Sequence, residues 1–135
     1  MAFICFHQDE EILIPGEAIR FRVIANSNTV TDQKEKMMIK EQVEKEVYEL
    51  IKDASNASDV RNIIKNNMDT IESIVTEYQV PYQIDYGNNY FPAKSYKGVV
   101  YPAGNYESLV ITLGNGVGNN FWCVLFPPLC LLENS

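Results

Sequence analysis

An α+β sandwich is the fold class that the sequence predicts, and three patterns predict it. One early stretch alternates apolar and polar residues, two long stripes then recur at helical spacing, and after Pro81 the alternation returns and fills the rest of the chain. The expected order is β-α-α-β-β-β. It implies a two-layer sandwich: a mostly antiparallel sheet of about four to five strands with an amphipathic helix pair on one face.

The first strand is read from Ile19, Phe21, Val23 and Ala25, which alternate with Arg20, Arg22 and Asn26; Ile24 alone breaks the period. Such alternation predicts a half-buried strand with its arginines on the polar side. Asn26, Ser27, Asn28 and Thr29 supply turn chemistry. Thr31 or Asp32 is then the expected cap of a helix, Asp32 with Glu35 forming a capping box. In that helix Ile39, Val43, Val47, Leu50, Ile51 and Ala54 share one face, and Glu41, Glu44, Glu46 and Glu49 read as solvated.

Ser58 is the expected cap of a second helix, with Val60, Ile64, Met68, Ile71, Val75 and Tyr78 on its buried face. Pro81 ends it. Strands follow from Tyr82 through about Tyr96, around Val99 to Tyr101, from Tyr106 to Leu113, and from Phe121 to Phe126. Gly114 to Asn120 is expected to join the last two as a flexible hairpin loop, where glycine and asparagine tolerate positive φ.

A chain of 135 residues supports one core, here residues 19–132, with an N-terminal segment 1–18 and a tail 133–135. Hydrophobic residues at 46% and charged residues at 21% are ordinary globular composition. The net charge of -7 repels nucleic acid and anionic membrane surfaces. The apolar run Met1 to Phe6 is too short to span a membrane and lacks a basic flank, so it reads as the last turn of an export or anchor segment, or as a plain hydrophobic tail.

Three cysteines, Cys5, Cys123 and Cys130, give no closed framework. Cys123 and Cys130 flank Pro127 and Pro128, and a turn there brings them within reach of a disulfide adding about 2–3 kcal/mol; two buried thiols are the alternative, and compartment decides between them.

Catalytic chemistry is sparse. The single histidine, His7, lies far from every Ser and Cys of the body, so no nucleophile pair and no zinc set is expected. Gly114, Gly116 and Gly118 lack the following helix and the Lys-Ser or Lys-Thr of a phosphate cradle. Lys94 and Ser95 are strand neighbours that point to opposite faces. Asp85 and Glu107 are the one pair worth testing as a glycosidase-like acid and base. No cofactor is called for. What stands out is aromatic and proline-rich: Tyr90, Phe91, Pro92, Tyr96, Tyr101, Pro102, Tyr106, Phe121, Trp122, Phe126, Pro127 and Pro128, residue types that build cores and also anchor partners.

Four blocks of the chain resemble the stage II sporulation protein R family of endospore-forming bacteria. They are Ile19 to Ser27 with Asp32-Gln33 after it, Phe91 to Tyr96, Pro102 to Glu107, and Gly116 to Cys130. The last is the most specific, since it sets a tryptophan, two cysteines and two prolines in one register. Two departures are visible: Phe121 stands where the family pattern expects tryptophan, and the export segment is short.

The resemblance implies a signalling protein exported from the forespore into the septal intermembrane space. Family members there activate a membrane-embedded aspartic protease that matures the pro-sigma-E precursor. It also implies a compartment that permits a Cys123–Cys130 disulfide, and a partner surface that includes Arg20, Arg22, Asn26, Lys94, Tyr96 and Trp122. A binding module is thus expected, with no catalysis, metal or nucleic acid of its own. The competing readings are a cell-wall hydrolase using Asp85 and Glu107, and a structural septum protein.

Overall fold

The computed structural model describes residues 12–13, 17–96 and 98–129, and it is an α+β fold. Strands β1 (Ile12–Leu13) and β2 (Ile19–Ile24) lead to helices α1 (Val30–Ile51), α2 (Ala57–Asn66) and α3 (Met68–Thr76). Strands β3 (Tyr82–Phe91), β4 (Lys94–Tyr96), β5 (Val99–Tyr101), β6 (Gly104–Leu113) and β7 (Asn120–Phe126) follow. Cys5, His7, Cys130 and the tail 133–135 lie outside the described residues.

The helix layer has one more member than the spacing predicts. Val60, Ile64, Ile71 and Val75 are buried on one face as expected. At Asn67, however, the backbone leaves helical geometry (φ -121°, ψ 20°), and the Asn67 side chain donates to the Ile63 carbonyl. Asparagine competes for backbone partners in this way, and the stripe is divided into α2 and α3.

Capping also differs from the expectation. Thr29 rather than Thr31 or Asp32 caps α1, accepting from the Asp32 N–H at 3.1 Å, and Asn56 rather than Ser58 caps α2, accepting from the Asp59 N–H at 2.9 Å. Each earlier cap places an acid in the first turn, where the helix dipole favours it.

The strands form two sheets in place of one. The main sheet has the order β3-β6-β2-β7, with β2 parallel to β6 and the other neighbours antiparallel; a smaller sheet has the order β1-β5-β4. Because β2 lies between β6 and β7, the glycine loop is no hairpin. It crosses over the end of β2 instead and is tied down there: the Gly118 N–H donates to the Ala25 carbonyl at 2.9 Å, and the Asn115 N–H to Asn26 Oδ1 at 2.8 Å. Gly118 is required by that close approach, since a Cβ there would lie 2.3 Å from the Ser27 carbonyl oxygen.

The helices cover one face of the main sheet, where Ile19, Phe21, Val23, Leu109, Ile111, Leu113, Cys123 and Leu125 meet the buried residues of α1, α2 and α3. The small sheet covers part of the opposite face, where Ala18, Phe91, Val99, Tyr101, Tyr106 and Val124 form a second, largely aromatic cluster. No helix among the described residues is long and apolar enough to cross a membrane.

Candidate functional site

Arg20 shows what the second cluster is for. Alternation along β2 sends Ile19, Phe21 and Val23 to the helices, which leaves Arg20 and Arg22 on the other face. That face is not solvent at this point: Arg20 is 0% exposed, so the expected half-buried strand is buried on both sides there. Its guanidinium carbon lies 4.1 Å from the centroid of Phe91, 4.7 Å from Tyr106, 4.8 Å from Trp122 and 5.0 Å from Tyr101. A desolvated cation over one such ring gains about 2 kcal/mol, and the flat guanidinium can meet several rings at once.

The rings also pack on one another. Phe91 and Tyr106 meet edge to face (6.0 Å, 88°), Phe91 and Trp122 at 5.5 Å, and Tyr101 and Trp122 at 6.5 Å. The Tyr106 hydroxyl donates to the Pro102 carbonyl at 2.6 Å, fixing the turn before β6.

Toward the surface the same stack continues through half-buried groups. Arg22 sits 4.0 Å over Phe91 and donates to the Tyr90 carbonyl at 2.9 Å; Lys94 Nζ stands 4.9 Å from Trp122 and 5.8 Å from Tyr101. Burial lowers the pKa of Arg22. Of eleven basic side chains in an acidic chain, three thus gather on one aromatic platform.

The remaining expected site residues are placed as follows. Asn26 is not on the platform: its amide donates to Asp32 Oδ2 at 2.8 Å and its oxygen accepts from Asn115, so it ties the β2 end to α1 and the glycine loop. Ser27 donates to the same carboxylate at 2.6 Å, and these bonds, Ser27 first and Asn26 next, lower the Asp32 pKa. Tyr96 ends β4 opposite Val99. Cys123 is disulfide-bonded, and its sulfur lies 3.9 Å from the carboxylate of Glu44.

Glu44 is buried and not solvated as expected: only 4% exposed, it pairs with the fully buried Lys40 at 3.5 Å, and that ammonium lies 4.5 Å over Phe121.

Asp85 and Glu107 do not come together. Asp85 pairs with Val110 and Glu107 with Asn88, three positions apart on each strand, so the two carboxylates project from opposite faces of the sheet. Glu107 is engaged elsewhere: it accepts from Arg61 Nη2 at 3.0 Å, from Arg61 Nε, and from the Tyr86 hydroxyl at 2.9 Å. The Arg61 bond is the main cause of its lowered pKa, while burial pushes the Tyr86 phenol well above its usual range. Among the described residues no three His, Cys, Asp or Glu side chains gather as a metal-ligating group.

The platform and the Asn26 tie are built from four separated stretches: β2 and the turn after it, Phe91 to Lys94, Tyr101 to Tyr106, and Val117 to Trp122. All four fall inside the part of the chain that is like known proteins. A family model described as stage II sporulation protein R matches residues 15–135. The chain belongs to the stage II sporulation protein R family.

A curated relative, stage II sporulation protein R of Bacillus subtilis (strain 168), is 40% identical over 134 residues, covering 95% of this chain and 60% of the relative. The chain therefore spans 60% of the length of that relative. No solved structure matches it. The sequence singled out Arg20, Arg22, Lys94 and Trp122 as partner candidates, and marked Phe91, Tyr101 and Tyr106 only as aromatic residues of a kind that builds cores or anchors partners. The usable signal was a pair of arginines inside an otherwise apolar strand, in a chain with 11% aromatic residues.

Proposed function

We propose that this domain is an extracytoplasmic signalling ligand of endospore formation, which activates a membrane-embedded aspartic protease and so leads to processing of the pro-sigma-E precursor. Family membership supports the sporulation role. The observation that carries the ligand reading is the platform itself. Arg22, Lys94 and Trp122 stand half-exposed on rings held rigid by Arg20, and rigid aromatic and arginine anchors are what protein interfaces concentrate.

On this reading the expected partner residues other than Tyr96 divide by task. Arg22, Lys94 and Trp122 are the contact groups. Arg20, having no exposed surface, positions the rings, and Asn26 positions the turn after β2. A disulfide at Cys123 suits an oxidising space outside the cytoplasm, in keeping with release into the septal intermembrane space. Separation of Asp85 from Glu107 removes the carboxylate pair on which a wall-hydrolase reading depended.

The test is co-expression of the chain, fused to an export signal, with the protease and the sigma-E precursor in a non-sporulating host, with precursor cleavage followed by immunoblot. Cleavage that needs this chain, and that falls at least tenfold with Trp122→Ala or Lys94→Ala in exported, folded protein, is the expected result. Full cleavage with both variants would remove the platform as the contact surface, and no cleavage with the parent chain would remove the ligand reading.

A further inference from the structure

We infer that a second site, the cleft between α2 and the β3–β6 pair, receives a carboxylate side chain from an acidic peptide segment of a partner protein. The cleft has a volume of about 300 Å³ and is lined by Arg61, Lys65, Tyr86, Gly87, Asn88 and Glu107. That is the lower end of the range for ligand pockets and accommodates one side chain with its flanking backbone. It opens at β3, an outer strand of the main sheet.

Three observations point to an anion. First, Arg61 and Lys65 stand four residues apart on one helix, a like-charge pair that costs helix stability. Both act on the single carboxylate of Glu107, which leaves one positive charge over. Second, Glu107 grips Arg61 through Nε and Nη2, so Nη1 has no hydrogen-bond partner among the described residues, and the guanidinium is held in one orientation before any ligand arrives. The Tyr86 hydroxyl fastens that carboxylate from the other side. Third, the Asn88 side chain is exposed on the neighbouring strand, directly across from Glu107, and brings an amide donor to the same rim. A carboxylate is the ligand that a guanidinium edge, an ammonium and an amide recognise together.

The occupant is a peptide and not a free acid because two of the lining residues, Gly87 and Asn88, belong to an outer strand, along which an extended segment can lie. This site is separate from the Arg22–Lys94–Trp122 platform, which faces the other side of the sheet, so the inference stands or falls independently of the proposed function.

The experiment is an NMR titration of the full 15N-labelled chain with blocked tri-glutamate, blocked tri-glutamine and free glutarate at matched ionic strength. Expected is saturable binding of tri-glutamate that moves the Arg61 Nε–H and Asn88 side-chain signals. It should weaken at least tenfold in Lys65→Gln and stay unchanged in Lys34→Gln, which removes an equal charge from the exposed face of α1. Arg61 and Glu107 are left intact so that the fold is not at issue. Equal binding of tri-glutamine, unchanged affinity in Lys65→Gln, or shifts confined to Arg22 and Lys94 would overturn the site. Glutarate binding as tightly as the peptide would overturn the peptide as its occupant.

Discussion

The two faces of the central sheet are filled by opposite means. On the helix side Phe21, Val23, Leu109, Ile111 and Leu113 meet aliphatic residues of α1, α2 and α3, and the contacts are interchangeable in kind. On the other side one arginine and four rings occupy a comparable position, and each group has a particular place around the guanidinium. The aliphatic face supplies stability that depends on volume. The cationic face supplies a fixed arrangement of rings, which is what the proposed recognition surface needs and a hydrophobic core does not.

The comparison can be broken most forcefully from the aliphatic side. Leu109→Ala should cost roughly 3–5 kcal/mol in urea unfolding, with the proposed signalling lost only in proportion to the unfolded fraction. Arg20→Ala should cost somewhat less, about 2–4 kcal/mol, yet abolish signalling in the folded protein, because the rings lose the group that spaces them. If the folded Arg20 variant signals normally, the two faces do not differ in task.

A smaller effect is expected at the tie. Asn26→Ala should cost about 1–3 kcal/mol by leaving Asp32 and the Asn115 N–H short of a partner. Smaller again is the acid limb of the stability curve. The pKa values of Asp32 and Glu107 are lower in the folded state than in the unfolded one. Their contribution is therefore complete above about pH 4, the unfolded carboxylate range, and is lost as the pH falls through the folded values. Stability measured from pH 6 down to pH 2 should decline less steeply in Asp32→Asn. The smallest change is expected from Lys94→Ala, about 0.5–1 kcal/mol, with signalling rather than stability as the discriminating readout.

How much of this was legible before the structure depends on which side of the sheet is considered. Period two and period three-to-four found β2, β6, β7 and the buried stripes of the helices, because an aliphatic core needs only the right residue type at the right spacing. The same rule misplaced Arg20 and Glu44. It scores a charged residue as solvated and has no means of seeing that four rings distant in sequence, or a lysine one turn away, will cover it. Asn67 and the insertion of β2 between β6 and β7 escaped for a related reason, since each depends on partners that spacing along the chain does not reveal. Family resemblance pointed to the platform residues where periodicity did not, and even so it could not separate the buried Arg20 from the half-exposed Arg22.

The place of β2 has a consequence for when the domain can form. Ile19 pairs with Glu107 on one side and with Phe126 on the other, so this early strand waits for nearly the whole chain before either ladder exists. Loop closure over such distances comes late and brings little reward until both partners are present. A chain cut before β7 is therefore not a smaller working domain but one whose second strand keeps an open side and whose aromatic platform lacks Trp122. Completion of the last strand is what closes the second ladder of β2 and brings Trp122 to the rings around Arg20.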